Sequence, residues 1–396
     1  MKKKIILFCI ICLGVFLCGC EGELKTVKKE ESPPAESSDA GQFGVKYCAV
    51  SELKKTKMSD ITYKADNLRL PDTVDFSCIG EVAVLDMETE QIDVNKKKKV
   101  YEKLFGLDGK DIWKKEDDLL VYDDKKEKKY CLIGETGFLS YSNTGKKEYT
   151  MKKRYDLRKE DISEVRVGLK NGTQPLTLIC TRARKWLEDN MEIKGFYHKI
   201  TGAYIMGQGG EDSSDSPEMI ELNVEYEYKG IPVCNLSTPL SNLRGVSNTE
   251  DGGHDDDQPM IETEPSVFPF GVQLQYADSD ELAFCSNLNG CLKLKDTERV
   301  DQVVDLESAI RVVHKNLSGL TYRFNDIVPL YILDPSEIQS GQSGFKPGIR
   351  VKGIPVYAFI LNVKKGSSMI EPNCGEYYCL VDMISGNFWT NIDGAF

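Results

Sequence analysis

Between positions 220 and 229 apolar and polar residues alternate without a break. Ile220, Leu222, Val224, Tyr226 and Tyr228 fall between Glu221, Asn223, Glu225, Glu227 and Lys229. A period of two sends successive side chains to opposite faces, so the stretch predicts a strand with one buried and one wet face. Two other stretches carry the helical period. Leu176, Ile179, Ala183, Trp186 and Leu187 form one stripe behind Pro175, which suits a first helical turn. Leu306, Ala309, Ile310, Val313 and Leu317 form a second, with Asp305 placed to cap it and Gly319 at its exit. His314 lies beside that stripe and is expected at the surface or half buried. Strand-like runs follow each helix, at 196–206, 272–276 and 282–285 after the first, and at 327–333, 356–363, 377–381 and 387–389 after the second.

One pentapeptide occurs twice, Lys229-Gly230-Ile231-Pro232-Val233 and Lys352-Gly353-Ile354-Pro355-Val356. The copies begin at similar distances behind the two helices, 229 − 191 = 38 residues after Met191 and 352 − 317 = 35 after Leu317. That spacing suggests a duplicated unit with the pentapeptide at one fixed place in each sheet. Gly230 and Gly353 permit backbone angles that other residues avoid, and Pro232 and Pro355 cannot donate to a ladder. All four are therefore expected at equivalent structural positions, an edge or turning point. Valine at either glycine is expected to cost the same, on the order of 1–3 kcal/mol.

Ahead of these units, residues 45–172 predict a small α+β domain. A strand is expected at 74–85 and a short helix at 97–107, with Val100, Leu104 and Phe105 on one side. Short strands follow at 119–122, 130–133 and 138–141, divided by Asp-Asp-Lys-Lys and Gly-Glu-Thr-Gly turns. The fold class expected is α+β, with antiparallel sheets each covered by one helix. Its parts are the N-terminal domain at 45–172, a first repeat at 173–292 and a second at 293–396.

The first twenty residues change the picture. Lys2, Lys3 and Lys4 precede an apolar stretch from Ile5 to Phe16 that is too short to span a membrane as a mature helix. It ends in Leu17-Cys18-Gly19-Cys20, which resembles the bacterial lipobox. The resemblance implies a signal peptide over 1–19, cleavage before Cys20 and a diacylglyceryl group on its thiol, so that the chain is a lipoprotein anchored in the membrane. Residues 20–44 are poor in apolar side chains and rich in Glu, Ser and Pro, as a flexible tether would be.

The formal charge is −12, from 63 acidic against 51 basic residues, which argues against a nucleic-acid partner. Lys96 to Lys99 form one compact basic run, expected as a solvated helix face. Of 13 cysteines, four lie at or before Cys20 and 13 − 4 = 9 in the body. They are scattered rather than paired at metal spacing, so buried free thiols are expected, although Cys285 with Cys291 and Cys374 with Cys379 could bridge short loops. With only three histidines, His198, His254 and His314, no zinc site is expected, and no cofactor fingerprint is present. Carboxylates crowd the insertion at 237–268, among them Glu250, Asp251, Asp255, Asp256, Asp257, Glu262 and Glu264. They lack the D-x-[DN]-x-[DN]-G spacing of a calcium loop, and a solvated loop is expected. Ser51-Glu52-Leu53-Lys54 matches S-x-x-K without its S-D-N and K-T-G companions. Gly341-Gln342-Ser343-Gly344 stops short of a nucleophile elbow.

The order helix, strand, strand ending in Gly-Ile-Pro-Val, then hairpin with a small-residue turn resembles PepSY-like units. It is also similar to the paired repeats of the exported YycH and YycI regulators. The residues that carry the likeness are Val224 to Val233, Lys352 to Phe359, and Tyr377-Tyr378-Cys379-Leu380-Val381-Asp382-Met383-Ile384-Ser385-Gly386. It covers about 174–396, and those regulators have a transmembrane helix where this chain has a lipobox. The chain looks most similar to uncharacterised lipoproteins of Clostridia-type, Gram-positive bacteria. The resemblance implies the fold and an extracytoplasmic compartment, and the leading expectation is a non-enzymatic binding or regulatory role at the cell envelope, with an envelope protein or wall component bound through a sheet edge or the acidic loop. It names no catalytic residue. Two alternatives stand beside it: a wall-acting hydrolase using two carboxylates, and the solute-binding lipoprotein of a transporter, a class built on parallel βα alternation.

Overall fold

A computed structural model describes residues 45–89, 91–107, 112–116, 119–135, 137–143, 149–191, 194–208, 217–236, 267–269, 271–277, 282–287, 292–317, 321–334, 348–361 and 377–390. The lipobox, the tether, the acidic stretch 250–264 and Cys291 and Cys374 lie outside them.

The alternation of 220–229 becomes the strand Met219–Tyr228, and the two helical stripes become α3 (Leu176–Asn190) and α4 (Leu306–Asn316). Two other helices precede them, α1 (Val50–Leu53) and α2 (Val94–Phe105). Capping fixes where they start. The Asp93 carboxylate accepts from the N–H groups of Asn95 and Lys96, and that of Asp305 accepts from Ser308 at 2.7 Å. Gly106 closes α2 in the left-handed region.

The expected class does not hold. Among the described residues the chain is mainly β, 52% strand against 18% helix, with 22 strands and four α-helices. Strand pairing does not stop at the limits of helix-covered α+β units but fuses their strands into two large sheets. One sheet runs through nine strands, Trp113–Glu116, Leu119–Asp124, Lys129–Gly134, Leu139–Ser142, Leu282–Asn287, Gly271–Tyr276, Met219–Tyr228, Tyr197–Gln208 and Tyr149–Asp156, all antiparallel. A single row of partners crosses it: Trp113, Tyr122, Cys131, Tyr141, Cys285, Leu274, Leu222, Ala203 and Tyr155. Cross-strand partners share a face, and every member after Trp113 is buried. Phe105 of α2 stacks on Tyr141 in that row, its ring centroid 3.9 Å away. Each buried aliphatic there contributes roughly 1.5–3 kcal/mol.

The second sheet is built round Tyr322–Leu333 and Arg350–Leu361. Tyr377–Asp382 and Phe388–Thr390 continue it on one side, and Ile231–Leu236 and Val267–Pro269 on the other. The N-terminal strand Ala83–Thr89 enters between Arg350–Leu361 and Leu292–Arg299. A strand was expected at 74–85, but it starts only at Ala83, because 74–82 has no ladder partner and instead crosses the surface of the hairpin at Lys229-Gly230. A hairpin from Met219–Tyr228 into Ile231–Leu236 links the sheets. Among the described residues these pairings branch but never return on themselves, so the sheets there are open.

One connectivity recurs three times. Each of α2, α3 and α4 is followed by four strands that pair in the same antiparallel sequence. For α3 they are Tyr197–Gln208, Met219–Tyr228, Gly271–Tyr276 and Leu282–Asn287, with Ile231–Leu236 and Val267–Pro269 inserted between the second and third, and for α4 Tyr322–Leu333, Arg350–Leu361, Tyr377–Asp382 and Phe388–Thr390. The first strand after α3 carries a one-residue bulge at Thr201, and the first after α4 carries one at Asn325. The same order runs from α2 through 113–142.

The pentapeptides are not the equivalent positions within this order. Lys229 and Gly230 form a two-residue hairpin turn with φ of 49° and 87°, as a type I′ turn requires. Lys352 and Gly353 lie inside a 12-residue strand and pair on both sides. The expectation of matched backbones at Gly230 and Gly353 is thus overturned. Both prolines do sit at changes of partner. Pro232 pairs with Glu227 before its strand moves on to Val267–Pro269, and Pro355 falls between the stretch paired to Ala83–Thr89 and that paired to Tyr377–Asp382. A missing N–H costs nothing at such a gap.

Candidate functional site

The two pentapeptides meet at one N-terminal segment. At Gly230 an added Cβ would lie 2.0 Å from the carbonyl oxygen of Cys78, so the turn and residues 78–79 touch backbone to backbone. The N–H of Gly80 donates to the Lys229 carbonyl at 2.7 Å. The chain then passes Glu81, which accepts from the Tyr228 hydroxyl at 3.0 Å, and Ala83, whose N–H donates to the Tyr331 hydroxyl at 3.1 Å. It continues as Ala83–Thr89 and meets the second copy, where Gly353 opposes Leu85 and Met87. Gly230 thus holds the entry to this strand, and Gly353 allows close packing along it.

Where the strand emerges, its outer face forms a groove of about 390 Å³ lined by Val84, Asp86, Asp296, Thr297, Glu298, Arg350, Val351 and Lys352. Three strands make its floor, and their register assigns the side chains to rows. Arg350, Glu88 and Lys293 are cross-strand partners in one row, Lys352, Asp86 and Asp296 in the next, and Val84 faces Glu298 in the third. A bulge at Lys295 shifts the register of Leu292–Arg299 between Leu294 and Asp296. With a period of two, an unbulged strand would turn Lys295, Thr297 and Arg299 to this face; the extra residue brings Asp296 and Glu298 there instead. Lys295 bonds Glu88 at 2.8 Å, and that hydrogen bond is the main reason the Glu88 carboxyl is held below the usual range. The groove therefore displays Arg350 and Lys352 on one outer strand, and Lys293, Asp296 and Glu298 on the other.

Three other polar clusters lie elsewhere in the fold. His314, on α4, is pinned by Asp66 at 2.9 Å through Nε2 and by the Tyr63 hydroxyl at Nδ1, and the Arg311 guanidinium lies 4.0 Å from the Tyr63 ring. Nucleophile, base and orienting acid could be arranged in this way, yet Asp66 is 93% exposed. In water the pair gains little, and its evident effect is to clamp residues 61–67 over α4. Glu225 accepts from the Thr201 hydroxyl at 3.0 Å and from Arg158, and burial raises its carboxyl above the ordinary value despite the nearby Arg158 charge. Those bonds tie the 156–160 turn to the bulge at Thr201, and Lys159 of the same turn reaches Asp326 at 2.7 Å, beside the bulge at Asn325. His198 packs edge-on against Tyr226, its Nε2 buried without a partner, and burial lowers its pKa to about 4, so it is neutral near pH 7.

Sequence reasoning reached Lys352 and Gly353 through the repeat but missed Asp86, Asp296, Glu298 and Arg350. Asp86 lies more than 200 residues before the other three, and no local spacing links them. The seven described cysteines, Cys48, Cys78, Cys131, Cys180, Cys234, Cys285 and Cys379, are free, and burial raises the thiol pKa of each. Among the described residues no group of His, Cys, Asp and Glu is placed to hold a metal, and no helix is long and apolar enough to cross a membrane. Two strand pairings there are parallel, Ile231–Leu236 and Leu68–Arg69 each with Tyr322–Leu333, whereas a transporter's βα-alternating binding fold rests on parallel sheets.

No family model matches the chain, and no curated protein matches it. Among solved structures, an uncharacterised protein from Eubacterium rectale is similar at 12% identity and a TM-score of 0.48, over 86% of this chain and 97% of that one.

Proposed function

We propose that the chain is an extracytoplasmic lipoprotein, tethered to the outer face of the cell membrane through Cys20, that works by binding or regulation rather than catalysis. In this reading the groove over Ala83–Thr89 is the face offered to an envelope protein or wall component. The observation that carries it is the register across the groove, which displays charges of both signs in an open, water-accessible setting. Recognition uses such charges directly. Catalysis by carboxylates asks instead for burial that separates their proton affinities.

The anchor is tested by mass spectrometry of the mature N-terminus: a lipid-free Cys20, or a Cys20→Ala protein that stays processed and membrane-bound, overturns it. The groove is tested with a photo-cross-linking residue at position 84 in living cells. A defined adduct that disappears in the Asp296→Asn/Glu298→Gln variant supports the reading, and an adduct pattern unchanged by that variant refutes it. One observation favours a second reading: Asp86 and Asp296 are direct cross-strand partners in one groove, as two-carboxylate hydrolysis would need. Wall digestion by the purified protein that Asp86→Asn abolishes would establish that reading instead.

A further inference from the structure

The helix layer over the nine-strand sheet turns a basic face outward. Phe105 of α2 stacks on Tyr141 of the sheet and, with ring centroids 6.5 Å apart, on Trp186 of α3, so both helices cover that sheet face. Successive helical residues turn by about 100°, which puts Lys96, Lys99, Val100 and Lys103 in one arc of α2, opposite the buried Tyr101 and Phe105. All four are exposed. The sequence pattern places Val100 with Leu104 and Phe105, yet in the fold it is 45% exposed. On α3 the same geometry sets Leu178, 40% exposed, and Lys185 on the outer face, away from Ile179, Ala183 and Leu187. We propose that this face rests on an anionic bilayer surface, with Val100 and Leu178 entering the headgroup layer and the lysines among the anionic headgroups. The inference builds on the membrane-anchored reading above and adds the face that the chain turns to the lipid.

The charges fit that occupant. α2 carries five lysines and one glutamate in a chain of formal charge −12, so an anionic surface repels most of the molecule and attracts this part. The glutamate, Glu102, is paired with Lys98 at 3.7 Å, and the Lys98 ammonium also lies 5.2 Å from the Trp113 ring centroid. The side chains of Lys96, Lys99 and Lys103 form no ion pair among the described residues. Glu188 and Asp189 are exposed at the far end of α3, beyond Lys185, so the cationic surplus lies on α2. Apolar side chains flanked by lysines suit the boundary between headgroups and acyl chains, because a lysine stem lies along apolar surface while its ammonium stays among the headgroups. A soluble polyanion would use the lysines but has no place for Val100 and Leu178. From Cys20 to Val45 the chain advances 45 − 20 = 25 residues. A flexible coil of that length spans about 25–30 Å root mean square, so a chain anchored at Cys20 meets the bilayer continually and rests on the face of opposite charge.

The test places a benzophenone photo-cross-linking residue at position 100 or 178 of the purified full-length protein. The protein is irradiated with nanodiscs of phosphatidylcholine alone or of phosphatidylcholine with phosphatidylglycerol, and adducts of phospholipid mass are counted by mass spectrometry. In the anionic discs adducts are expected at both positions, at least about tenfold above the neutral discs, since each lysine near such a surface adds about fivefold to binding. Lys96→Gln/Lys99→Gln/Lys103→Gln should bring the yield down to that of neutral discs, and unchanged urea midpoints would show that the fold is intact. The same probe at position 84, in the groove, should gain no lipid. Equal yields in the two discs, a yield indifferent to the lysine variant, equal labelling at position 84, or no lipid adduct at all overturns the inference. A protein adduct at position 100 in living cells, in place of lipid, does so too. Positions 100 and 178 report whether the chain reaches the disc by its anchor or from solution. A lipid-free Cys20 with these adducts intact therefore sinks the anchor and leaves the bilayer-facing surface standing.

Discussion

Alanine at the two pentapeptide glycines should have unequal effects, although the local sequences are identical. At Gly230 φ is +87°, and a Cβ would lie 2.0 Å from the Cys78 carbonyl oxygen and 2.9 Å from its carbon. The left-handed backbone costs an L-residue roughly 1–2 kcal/mol. The contact is with backbone and cannot be relieved by a rotamer change, so residues 76–80 must move, an overpacking cost of roughly 1–3 kcal/mol. Gly230→Ala is therefore expected to lose about 2–5 kcal/mol. At Gly353 the backbone is ordinary strand, and the closest atom is the Met87 methyl at 2.7 Å, the end of a flexible side chain. Overpacking there should be at the low end, about 1 kcal/mol, and the roughly 0.5–1 kcal/mol that alanine gains from a less disordered unfolded chain is common to both sites and drops out of the comparison. Urea unfolding followed by tryptophan fluorescence measures the gap. With an m-value of about 3 kcal/mol per molar, the expected difference of about 1–4 kcal/mol separates the midpoints by about 0.3–1.3 M. If Gly353→Ala costs as much as Gly230→Ala, or more, the two positions are equivalent after all and this account of the turn is wrong.

Lys229 is the other positive-φ residue of the turn, at 49°. Asparagine enters that region more readily than lysine, so Lys229→Asn should raise the unfolding free energy by roughly 0.5 kcal/mol, and a loss would contradict the type I′ assignment. Glu307 accepts from Arg311, from the N–H groups of Thr62 and Tyr63 and from the Thr62 hydroxyl, which together bring its pKa from 4.5 to about 2, the Arg311 bond contributing most. A depressed folded-state pKa stabilises above the unfolded value and is lost as the pH falls through the folded one. Glu307→Gln should therefore destabilise at pH 7, by under about 1 kcal/mol for so exposed a group, with the gap closing between about pH 4.5 and 2. A gap independent of pH would exclude that carboxylate as the source. Thiol titration of denatured protein prepared without reductant or oxygen should find at least the seven described cysteines reactive; a count of one or none would require a disulfide framework.

The local elements were legible because their causes are local. Asp305 capped the helix it was placed to cap, and the alternation from Ile220 to Tyr228 fixed a strand and its buried face. The meanders after α3 and α4 fell close to where the runs and turns put them. Which strands would join was not legible. Tyr141 meets Cys285 and Asp86 meets Asp296 only through pairings of long sequence separation, and a buried face satisfies its periodicity against any suitable neighbour. That freedom is why the expected helix-covered units are instead fused into two large sheets. The repeat shows the same division. Five identical residues became a hairpin turn at Lys229-Gly230 and a strand interior at Lys352-Gly353 because the partners on either side differ, and backbone hydrogen bonding obeys those partners. What recurs is the order of one helix and four antiparallel strands, which tolerates almost any residues that keep the period. The groove belongs wholly to the tertiary level, since a single bulged residue at Lys295 decides whether its rim is basic or acidic, and a bulge is set by the strand alongside.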